Sequence, residues 1–246
     1  MSENRRRVCL LTGAGGRLGS MFSRLYGHRY DILAVYHTRT PEPPPEVCWH
    51  VDPLNPALRK PVGAARFEAI RSDLTLSGEI PRVVEAALDR FGGVDLLVNA
   101  AAHIRLGSLL NGDAGFVDVR CMFEMNAIVP LRLAVELSRQ CWSVQGAAQN
   151  SALNRNVVNV SSTSGAYVFA NFGQGGYSAS KAALNMLTCH MAEEFSSLGI
   201  RVNSLAPGAF PGPVTTESVC DAIARLDRDS LTGSMLMLEA EGQTVI

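Results

Sequence analysis

Tyr177 and Lys181 are the two residues whose types and spacing most directly suggest chemistry. They lie four positions apart in the run YSASK, so on a helix they would share one face. A phenol has a pKa near 10 and is a poor acid–base catalyst at neutral pH until a neighbouring cation stabilises its phenolate. Lowering that pKa by about two to three units needs roughly 3–4 kcal/mol of differential stabilisation. Because Lys60 is the only other lysine, the spacing is informative and predicts an acid–base site.

Hydroxyl side chains gather where an apolar run ends, in the sequence NVVNVSSTS of residues 156–164. The apolar part predicts a buried strand, the fifth along the chain. In open parallel sheets the carboxyl ends of the strands line the ligand crevice, so these hydroxyls are candidates for chemistry. Asn126 is another polar candidate, because it interrupts an apolar helix predicted from about Val119 to Cys141 and needs a polar partner there. A packing role is the alternative interpretation of Asn126.

A strand, a glycine-rich turn and the start of a helix follow one another in VCLLTGAGGRLG, from Val8 to Gly19. This is the order of the nucleotide phosphate-binding turn, in which free backbone N–H groups and the helix dipole face the phosphates. The spacing is T-G-x-x-x-G-x-G, with Arg17 where the middle glycine is expected. Gly13 can take a positive φ, and Gly19 permits close packing of the helix on the strand. By itself the pattern fits an ordinary tight loop equally well.

The end of the second predicted strand, Ile32–Tyr36, indicates which dinucleotide would bind. In a fold of this kind an Asp or Glu at this point would accept hydrogen bonds from the adenosine ribose. Residues 36–40 read YHTRT and contain no acid. Arg17, His37 and Arg39 could instead pair with a 2′-phosphate, which favours NADP(H) over NAD(H). The alternative is that Arg39 is a solvated loop charge.

Two further strand ends carry polar residues. Asp73 follows a third strand, Arg66–Ile70, and its carboxylate could accept the adenine amino group, form an Asx turn, or cap the helix predicted from Ser77 onward. The fourth strand, Val94–Ala102, ends in Asn99 and small residues that leave room for a flat ligand. Its continuous apolarity implies burial on both faces and therefore a parallel sheet covered by helices.

The remaining elements alternate along the chain. Helices are predicted for Arg17–Gly27, Pro81–Phe91, Tyr177–Phe195 and Glu217–Leu226, and strands for Ile200–Leu205 and Met235–Glu239. Seven prolines between Thr40 and Pro61 exclude a regular helix or central strand, so this stretch is predicted to be a surface excursion. The pattern predicts an α/β fold with a Rossmann-type doubly wound parallel sheet in a three-layer αβα arrangement, forming one domain over residues 1–246.

Composition excludes several classes of function. The net charge of −1 argues against binding to nucleic acid and against electrostatic attachment to a membrane. The six cysteines include no C-x-x-C pair, which is typical of reduced thiols and indicates a cytoplasmic protein. The histidines show no H-x-x-x-H spacing, so no metal site is predicted.

The motifs TGAGGRLG, VNAAA, NVSS, YSASK and RVNSLAPG, in this order, resemble those of the short-chain dehydrogenase/reductase family. The resemblance covers nearly all of the chain. The T-G-x-x-x-R-L-G turn and the Y-H-x-R run are similar to those of pteridine reductases and related NADPH enzymes, which agrees with the cofactor inferred from the charges.

The resemblance implies roles for individual residues. Tyr177 would donate the proton to a carbonyl oxygen, Lys181 would lower its pKa and hold the nicotinamide ribose, and Asn126 would position a water. Position after the strand end favours Ser162 as the serine that hydrogen-bonds the substrate carbonyl, whereas counting back from Tyr177 favours Ser164. The residues expected to contact the cofactor are Gly13, Arg17, Leu18, Gly19, His37, Arg39, Asp73, Leu74, Asn99, Ala100, Tyr177, Lys181, Pro207 and Gly208.

The chain departs from the family pattern in two places. Ala100 and Ala102 replace the second Asn and the Gly of the family's N-N-A-G motif. The helical segment that usually covers the substrate after the P-G motif is largely missing, because AFPGPVTTESVCDAIARL follows Gly208 directly. An open cleft is therefore expected, closed if at all by a neighbouring subunit, by the proline-rich excursion or by the substrate's own carrier.

The expected activity is NADPH-dependent hydride transfer to a ketone, an aldehyde or a similar double bond, or the reverse reaction. The substrate would be a small-molecule or carrier-bound carbonyl compound. The resemblance also implies a homodimer or homotetramer. The alternative is a catalytically silent NADP(H)-binding sensor or assembly subunit, which the missing segment favours and the intact Tyr177, Lys181 and Asn126 oppose.

Overall fold

An eight-stranded sheet forms the centre of the molecule. The computed structural model describes residues 5–44, 49–51, 59–61 and 65–246. Its strands are β1 (Arg7–Thr12), β2 (Tyr30–Tyr36), β3 (Trp49–Val51), β4 (Arg59–Pro61), β5 (Phe67–Arg71), β6 (Leu96–Asn99), β7 (Asn156–Val160), β8 (Arg201–Pro207), β9 (Met235–Glu239) and β10 (Gly242–Val245). The order across the sheet is β10-β9-β8-β7-β6-β1-β2-β5. All neighbours are parallel except β9 and β10, which are antiparallel.

Helices cover both faces of this sheet. They are α1 (Arg17–Tyr26), α2 (Glu79–Phe91), α3 (Asp113–Phe123), α4 (Val129–Leu137), α5 (Ser143–Gln145), α6 (Ala147–Ala152), α7 (Gly175–Ser196) and α8 (Thr216–Arg228). Val83, Leu133 and Met191, from α2, α4 and α7, belong to one buried apolar core. Phe22 of α1 and Ile223 of α8 belong to a second core. The predicted doubly wound, three-layer α/β fold is therefore confirmed.

Each central strand is buried along its length because apolar side chains alternate between the two cores. Cys9 of β1 belongs to one core and Leu10 to the other, and both are fully buried. The continuous apolar runs of the sequence are explained by this two-sided burial. Within the described ranges, none of the helices has both the length and the apolar character needed to cross a membrane.

Two predicted elements differ clearly in extent from those observed, and one strand of the central sheet was not predicted. The strand predicted for Val94–Ala102 is limited to β6, because the N–H groups of Ala100 and Ala101 both donate to Thr12 Oγ1 at 3.1 Å instead of extending the sheet. The helix predicted from about Val119 begins at Asp113, and π-helical turns at Glu124–Ile128 and Ser138–Trp142 interrupt it. Strand β10 was not predicted, because its residues are exposed and lack an apolar pattern.

The proline-rich excursion lies partly outside the described residues, which omit 45–48 and 52–58. Its described strands, β3 and β4, pair antiparallel in a separate two-stranded sheet. As the prolines predict, neither strand joins the central sheet.

A buried ionic network fixes the edge of the sheet opposite the strand ends that carry the polar motifs. Asp95, fully buried, accepts hydrogen bonds from Val8 N at 2.9 Å and from the Arg5 guanidinium at 2.6 and 2.7 Å. The Arg155 guanidinium is 3.6 Å away and only 2% of that side chain is exposed. Asp227, which is also buried, pairs with Arg7 at 2.8 Å. Two buried carboxylates therefore hold β1 in place.

Candidate active site

Two clefts open where the parallel strands end. A cleft of about 460 Å³, here the turn-side cleft, lies beside the turn between β1 and α1. A cleft of about 530 Å³, here the tyrosine-side cleft, lies beside the ends of β7 and β8. This is the sheet edge at which open parallel sheets bind ligands, as the sequence predicted.

The glycine turn at the first cleft is closely packed. Gly13 has a φ of +67°, and a Cβ there would lie 2.8 Å from the backbone N of Ala101. A Cβ on Gly15 would lie 1.7 Å from the carbonyl oxygen of Arg39. No side chain caps the first turn of α1, whose N-cap is Gly16, so backbone N–H groups at this helix start are available to an anion. The turn thus has the shape and polarity of a phosphate cradle.

The turn-side cleft brings together many of the predicted cofactor residues. Those lining it are Gly13, His37, Arg39, Asp73, Leu74 and Ala100. Arg17, Leu18, Gly19 and Asn99 do not line it. Leu18 and Gly19 are buried at the start of α1, and the Asn99 side chain donates to Asn159 Oδ1 at 2.8 Å between β6 and β7. The contact of Asn99 with a cofactor stays a prediction.

Two exposed arginines lie near the glycine turn. Arg17 is at the start of α1, and Arg39 follows β2 and lines the turn-side cleft. Neither guanidinium forms an ion pair or hydrogen bond with another part of the described chain. Their donors are available to an anionic ligand.

Asp73 forms the predicted Asx turn. Its Oδ1 accepts hydrogen bonds from the Thr75 backbone N at 3.1 Å and from the Thr75 hydroxyl at 2.7 Å. The hydroxyl bond is the main cause that lowers the pKa of Asp73. The helix that follows has Gly78 as its N-cap, so the proposed capping role was wrong. The other carboxylate oxygen is 3.8 Å from His37 Nε2, and the adenine contact stays a prediction.

Ser162 and Tyr177 both line the tyrosine-side cleft, where the Ser162 hydroxyl accepts a hydrogen bond from the Ser164 backbone N at 3.1 Å. Burial raises the pKa of Tyr177, and the Ser162 hydroxyl partly offsets that rise. Ser164 lines the same cleft, but its hydroxyl donates to Gln174 Oε1 at 2.9 Å. Of the two candidate serines, Ser162 is the one whose hydroxyl lowers the pKa of the phenol.

Lys181 lies one helical turn after Tyr177 on α7 and is almost fully buried. Its Nζ donates to the Val160 carbonyl at 2.7 Å and is 5.8 Å from the centre of the Tyr177 ring. Burial lowers the pKa of Lys181 to about 7. Lys181 is not among the causes that shift the pKa of Tyr177, so its lowering of that pKa stays a prediction. A negative group bound nearby would restore the full charge of Lys181.

Asn126 is buried in the first π-helical turn and has the polar partners that its position required. Its Oδ1 accepts from His103 N at 2.7 Å, and its Nδ2 donates to His103 O at 2.8 Å and to Ser180 Oγ at 2.9 Å. The side chain therefore connects the loop after β6 to α7, which carries Tyr177. Because both amide hydrogens are used, a water could bind only the remaining oxygen lone pair or the main-chain carbonyl.

Pro207 and Gly208 also line the tyrosine-side cleft. The connection from β8 to α8 consists of residues 208–215 and contains no helix, so the cleft has no helical cover from this segment. The other walls come from distant loops that include Phe169, Phe172 and the β9–β10 turn.

Sequence reasoning missed several residues of the site. Thr12 holds the end of β6, Ser180 holds Asn126, and Gln174 holds Ser164. Thr12 and Ser180 belong to motifs that were recognised, TGAGGRLG and YSASK, but their partners lie far away in the sequence. Glu239 and Glu241 carry no motif that could have been recognised.

Comparisons with known proteins agree with this architecture. A family model described as short chain dehydrogenase matches residues 7–221. The chain is similar to a short chain dehydrogenase from Mycobacterium avium, with a TM-score of 0.78 and 22% identity, covering 100% of this chain and 86% of that one. It is also similar to an NADH-dependent reductase, A1-R′, solved with NAD, with a TM-score of 0.75 and 22% identity over 96% of each chain. At these identities the likeness concerns the fold.

Several curated relatives have oxidoreductase or dehydrogenase in their names. The chain is 26% identical over 226 residues to 3beta-hydroxysteroid dehydrogenase 1 of Eggerthella lenta, covering 92% of this chain and 78% of that protein. It is 30% identical over 206 residues to the peroxisomal hydratase-dehydrogenase-epimerase of Saccharomyces cerevisiae, covering 82% of this chain. The match spans only 21% of the yeast protein, so this chain corresponds to one part of it.

Proposed function

The chain belongs to the short-chain dehydrogenase family, and from that membership we propose that it is an NADP(H)-dependent carbonyl reductase. One arrangement of side chains supports this proposal. Tyr177 and Ser162 line the same cleft, the Ser162 hydroxyl is near enough to lower the pKa of the phenol, and Lys181 is buried one turn away. This arrangement supplies a proton donor, a second donor for a carbonyl oxygen, and a cation behind them.

The residues of the glycine turn fit a dinucleotide. The first turn of α1 has no side-chain cap, so its backbone N–H groups are available to the diphosphate, and the glycines at 13 and 15 let neighbouring backbone pack closely against the turn. Gly13, Arg39 and Asp73 would hold the adenosine half, and Pro207 and Gly208 would lie beside the nicotinamide. When bound, NADPH supplies the hydride that reduces the carbonyl carbon.

The chain itself supplies the proton. We propose that the Tyr177 hydroxyl gives its proton to the carbonyl oxygen as negative charge develops there, so that a ketone or aldehyde becomes an alcohol. The Ser162 hydroxyl donates a hydrogen bond to the same oxygen. Lys181 holds the nicotinamide ribose and, when charged, stabilises the phenolate that Tyr177 leaves behind. The reverse reaction uses the same groups, with Tyr177 as base.

NADPH is the proposed cofactor because the turn-side cleft offers positive charge where the ribose phosphate would lie. Arg39 and His37 line this cleft, Arg17 lies at the helix start, and β2 is followed by no carboxylate that would repel a 2′-phosphate. Guanidinium groups bind phosphate through charge-assisted hydrogen bonds.

Arg39→Asp is expected to raise KM for NADPH by about 10- to 100-fold, because a hydrogen bond to a charged group contributes about 1.5–3 kcal/mol. KM for NADH should change much less, since NADH has no 2′-phosphate. Arg24→Asp makes the same change of charge at an exposed position of α1, away from the cleft. This control should leave KM for NADPH and KM for NADH near their wild-type values. Steady-state kinetics give KM for NADPH and for NADH. An unaltered preference between the two cofactors in Arg39→Asp would contradict the proposal that Arg39 binds the 2′-phosphate.

A direct test of the activity is oxidation of NADPH in the presence of a panel of ketones and aldehydes. Reduction of any of them supports the reductase. The rival proposal, a silent NADP(H)-binding sensor or assembly subunit, is favoured by the short connection at residues 208–215. It predicts tight binding of NADPH with no turnover.

We also propose that the protein forms a homodimer or homotetramer in the cytoplasm. Large apolar side chains are exposed on the helices flanking Asn126 and Tyr177, among them Phe116, Val117 and Met186. Burial of these side chains by a second copy of the chain would remove apolar surface from water. The five described cysteines are unpaired, which supports a reducing compartment.

A further inference from the structure

The tyrosine-side cleft has a mainly apolar wall that remains open to solvent. Ile104, Phe210 and Val214 line it, together with Phe169 and Phe172, whose exposed fractions are 43% and 60%. Exposed aromatic rings beside a proposed reacting group are typical of a surface that a ligand covers. The wall is continuous with Tyr177, so the carbonyl compound that reaches the phenol must lie against it.

The charged residues at the outer end of this cleft are both acidic. Glu239 ends β9, and Glu241 follows it in the exposed turn that leads to β10. The residues lining the cleft in the described part of the chain include no Lys, Arg or His. Neither carboxylate forms a salt bridge with a described residue.

The turn-side cleft has different charged groups. Its lining includes Arg39 and two histidines as well as Asp73. An anionic dinucleotide is thus favoured at that end of the sheet edge, while the tyrosine-side cleft would repel a second anion. Two unit charges a few ångströms apart near a protein surface interact strongly enough to change an affinity about tenfold.

Building on the reductase proposed above, we propose that the substrate is a bulky apolar carbonyl compound without negative charge, and that Glu239 and Glu241 reject anionic carbonyl compounds. A positively charged group at the end away from the carbonyl is tolerated or preferred. The proposal therefore disfavours coenzyme A thioesters and substrates on acidic carrier proteins, which the sequence alone left open. The β9–β10 turn, rather than a helical cover, sets this selectivity.

The test uses three aryl methyl ketones that differ in charge: 4-acetylbenzoate, its neutral methyl ester and 4-acetyl-N,N,N-trimethylanilinium. Their dissociation constants are measured by ligand-observed NMR titration, on the protein alone and with saturating NADP⁺, at 20 mM and 500 mM NaCl. We expect the anion to bind at least about tenfold more weakly than the ester, and the cation to bind at least as tightly as the ester. At 500 mM NaCl the difference should fall below about threefold, because salt screens exposed charges.

Two double variants assign the cause. Glu239→Gln/Glu241→Gln should abolish the discrimination against 4-acetylbenzoate. Glu193→Gln/Glu194→Gln, on an exposed part of α7, makes the same change of charge elsewhere and should preserve it. Equal affinities for the anion and the ester, discrimination that survives in the first variant, or no binding of any of the three ketones would each overturn the proposal.

Turnover is measured in a separate assay. The charge selectivity and the reductase activity can therefore be contradicted independently. Binding in the expected order without NADPH oxidation would support the charge selectivity and count against the reductase. NADPH oxidation that is fastest with 4-acetylbenzoate would support the reductase and overturn the selectivity.

Discussion

Tyr177→Phe is expected to lower kcat for carbonyl reduction by a factor of about 10²–10⁴ and to leave NADPH binding nearly intact. The variant keeps the aromatic ring, whose centre lies 5.8 Å from Lys181 Nζ, but removes the proton that the alkoxide oxygen would take. Cofactor affinity should change little, because the aromatic ring at position 177 is kept and Arg39 and the glycine turn of the turn-side cleft are unchanged. Steady-state rates and NADPH fluorescence titration measure the two effects.

Tyr167→Phe is the matched control. Its ring is 47% exposed, and its hydroxyl has only a weak 3.8 Å contact with Met237 Sδ within the described chain. We expect rates within about twofold of wild type for this surface change. If Tyr177→Phe and Tyr167→Phe had the same kcat, the phenol of Tyr177 would have no part in proton transfer.

Asp95→Ala is expected to lower the free energy of unfolding by about 3–5 kcal/mol. The carboxylate is fully buried, and its removal leaves the buried Arg155 guanidinium without a counter-charge and Val8 N–H without its acceptor. Each of these two losses alone should lower the free energy of unfolding. A buried N–H donor or cation has lost its contacts with water, and without its acceptor or counter-charge nothing compensates for that loss. Denaturation by guanidinium chloride, monitored by circular dichroism, gives the difference in unfolding free energy between Asp95→Ala and the wild type.

Glu68→Ala provides the contrast. Glu68 pairs with Arg90 at 2.9 Å, but each side chain is 40% exposed, so breaking the pair should cost less than about 1 kcal/mol. The account of the ionic network would be wrong if the two variants lost equal stability. Because the network lies at the opposite edge of the sheet from Tyr177, the kcat of folded Asp95→Ala should stay close to wild type.

The fold could be predicted from the sequence because burial leaves a strong local signal. Strands β1, β2, β6 and β7 are mostly apolar, and β1, β6 and β7 are followed by glycines, small residues and hydroxyls, respectively. Parallel strands place those ends on one edge, so the approximate location of the site follows from the order of elements. Strand β10 was missed because GQTV is fully exposed and has no periodic apolar side chains.

The partners of the site residues could not be predicted, because they depend on contacts between distant segments. The Asn126 amide binds His103 and Ser180, which lie 23 and 54 positions away. The burial of Lys181 lowers its pKa to about 7. The i, i+4 spacing from Tyr177 does not predict how deeply the lysine is buried, so this effect could not be inferred from the sequence. In the same way, Glu239 and Glu241 reach the cleft only because β9 pairs with β8 beside Pro207.

The central claim is that this chain reduces a carbonyl group with hydride from NADPH. The most direct measurement is isotopic: the protein is incubated with NADPH that carries deuterium at the transferred position of C4 and with the panel of carbonyl compounds, and the alcohols are analysed by mass spectrometry. The account predicts an alcohol with one deuterium on the former carbonyl carbon, and far less of it from Tyr177→Phe. Saturable NADPH binding with no labelled alcohol from any compound would contradict the account and favour a silent cofactor-binding protein.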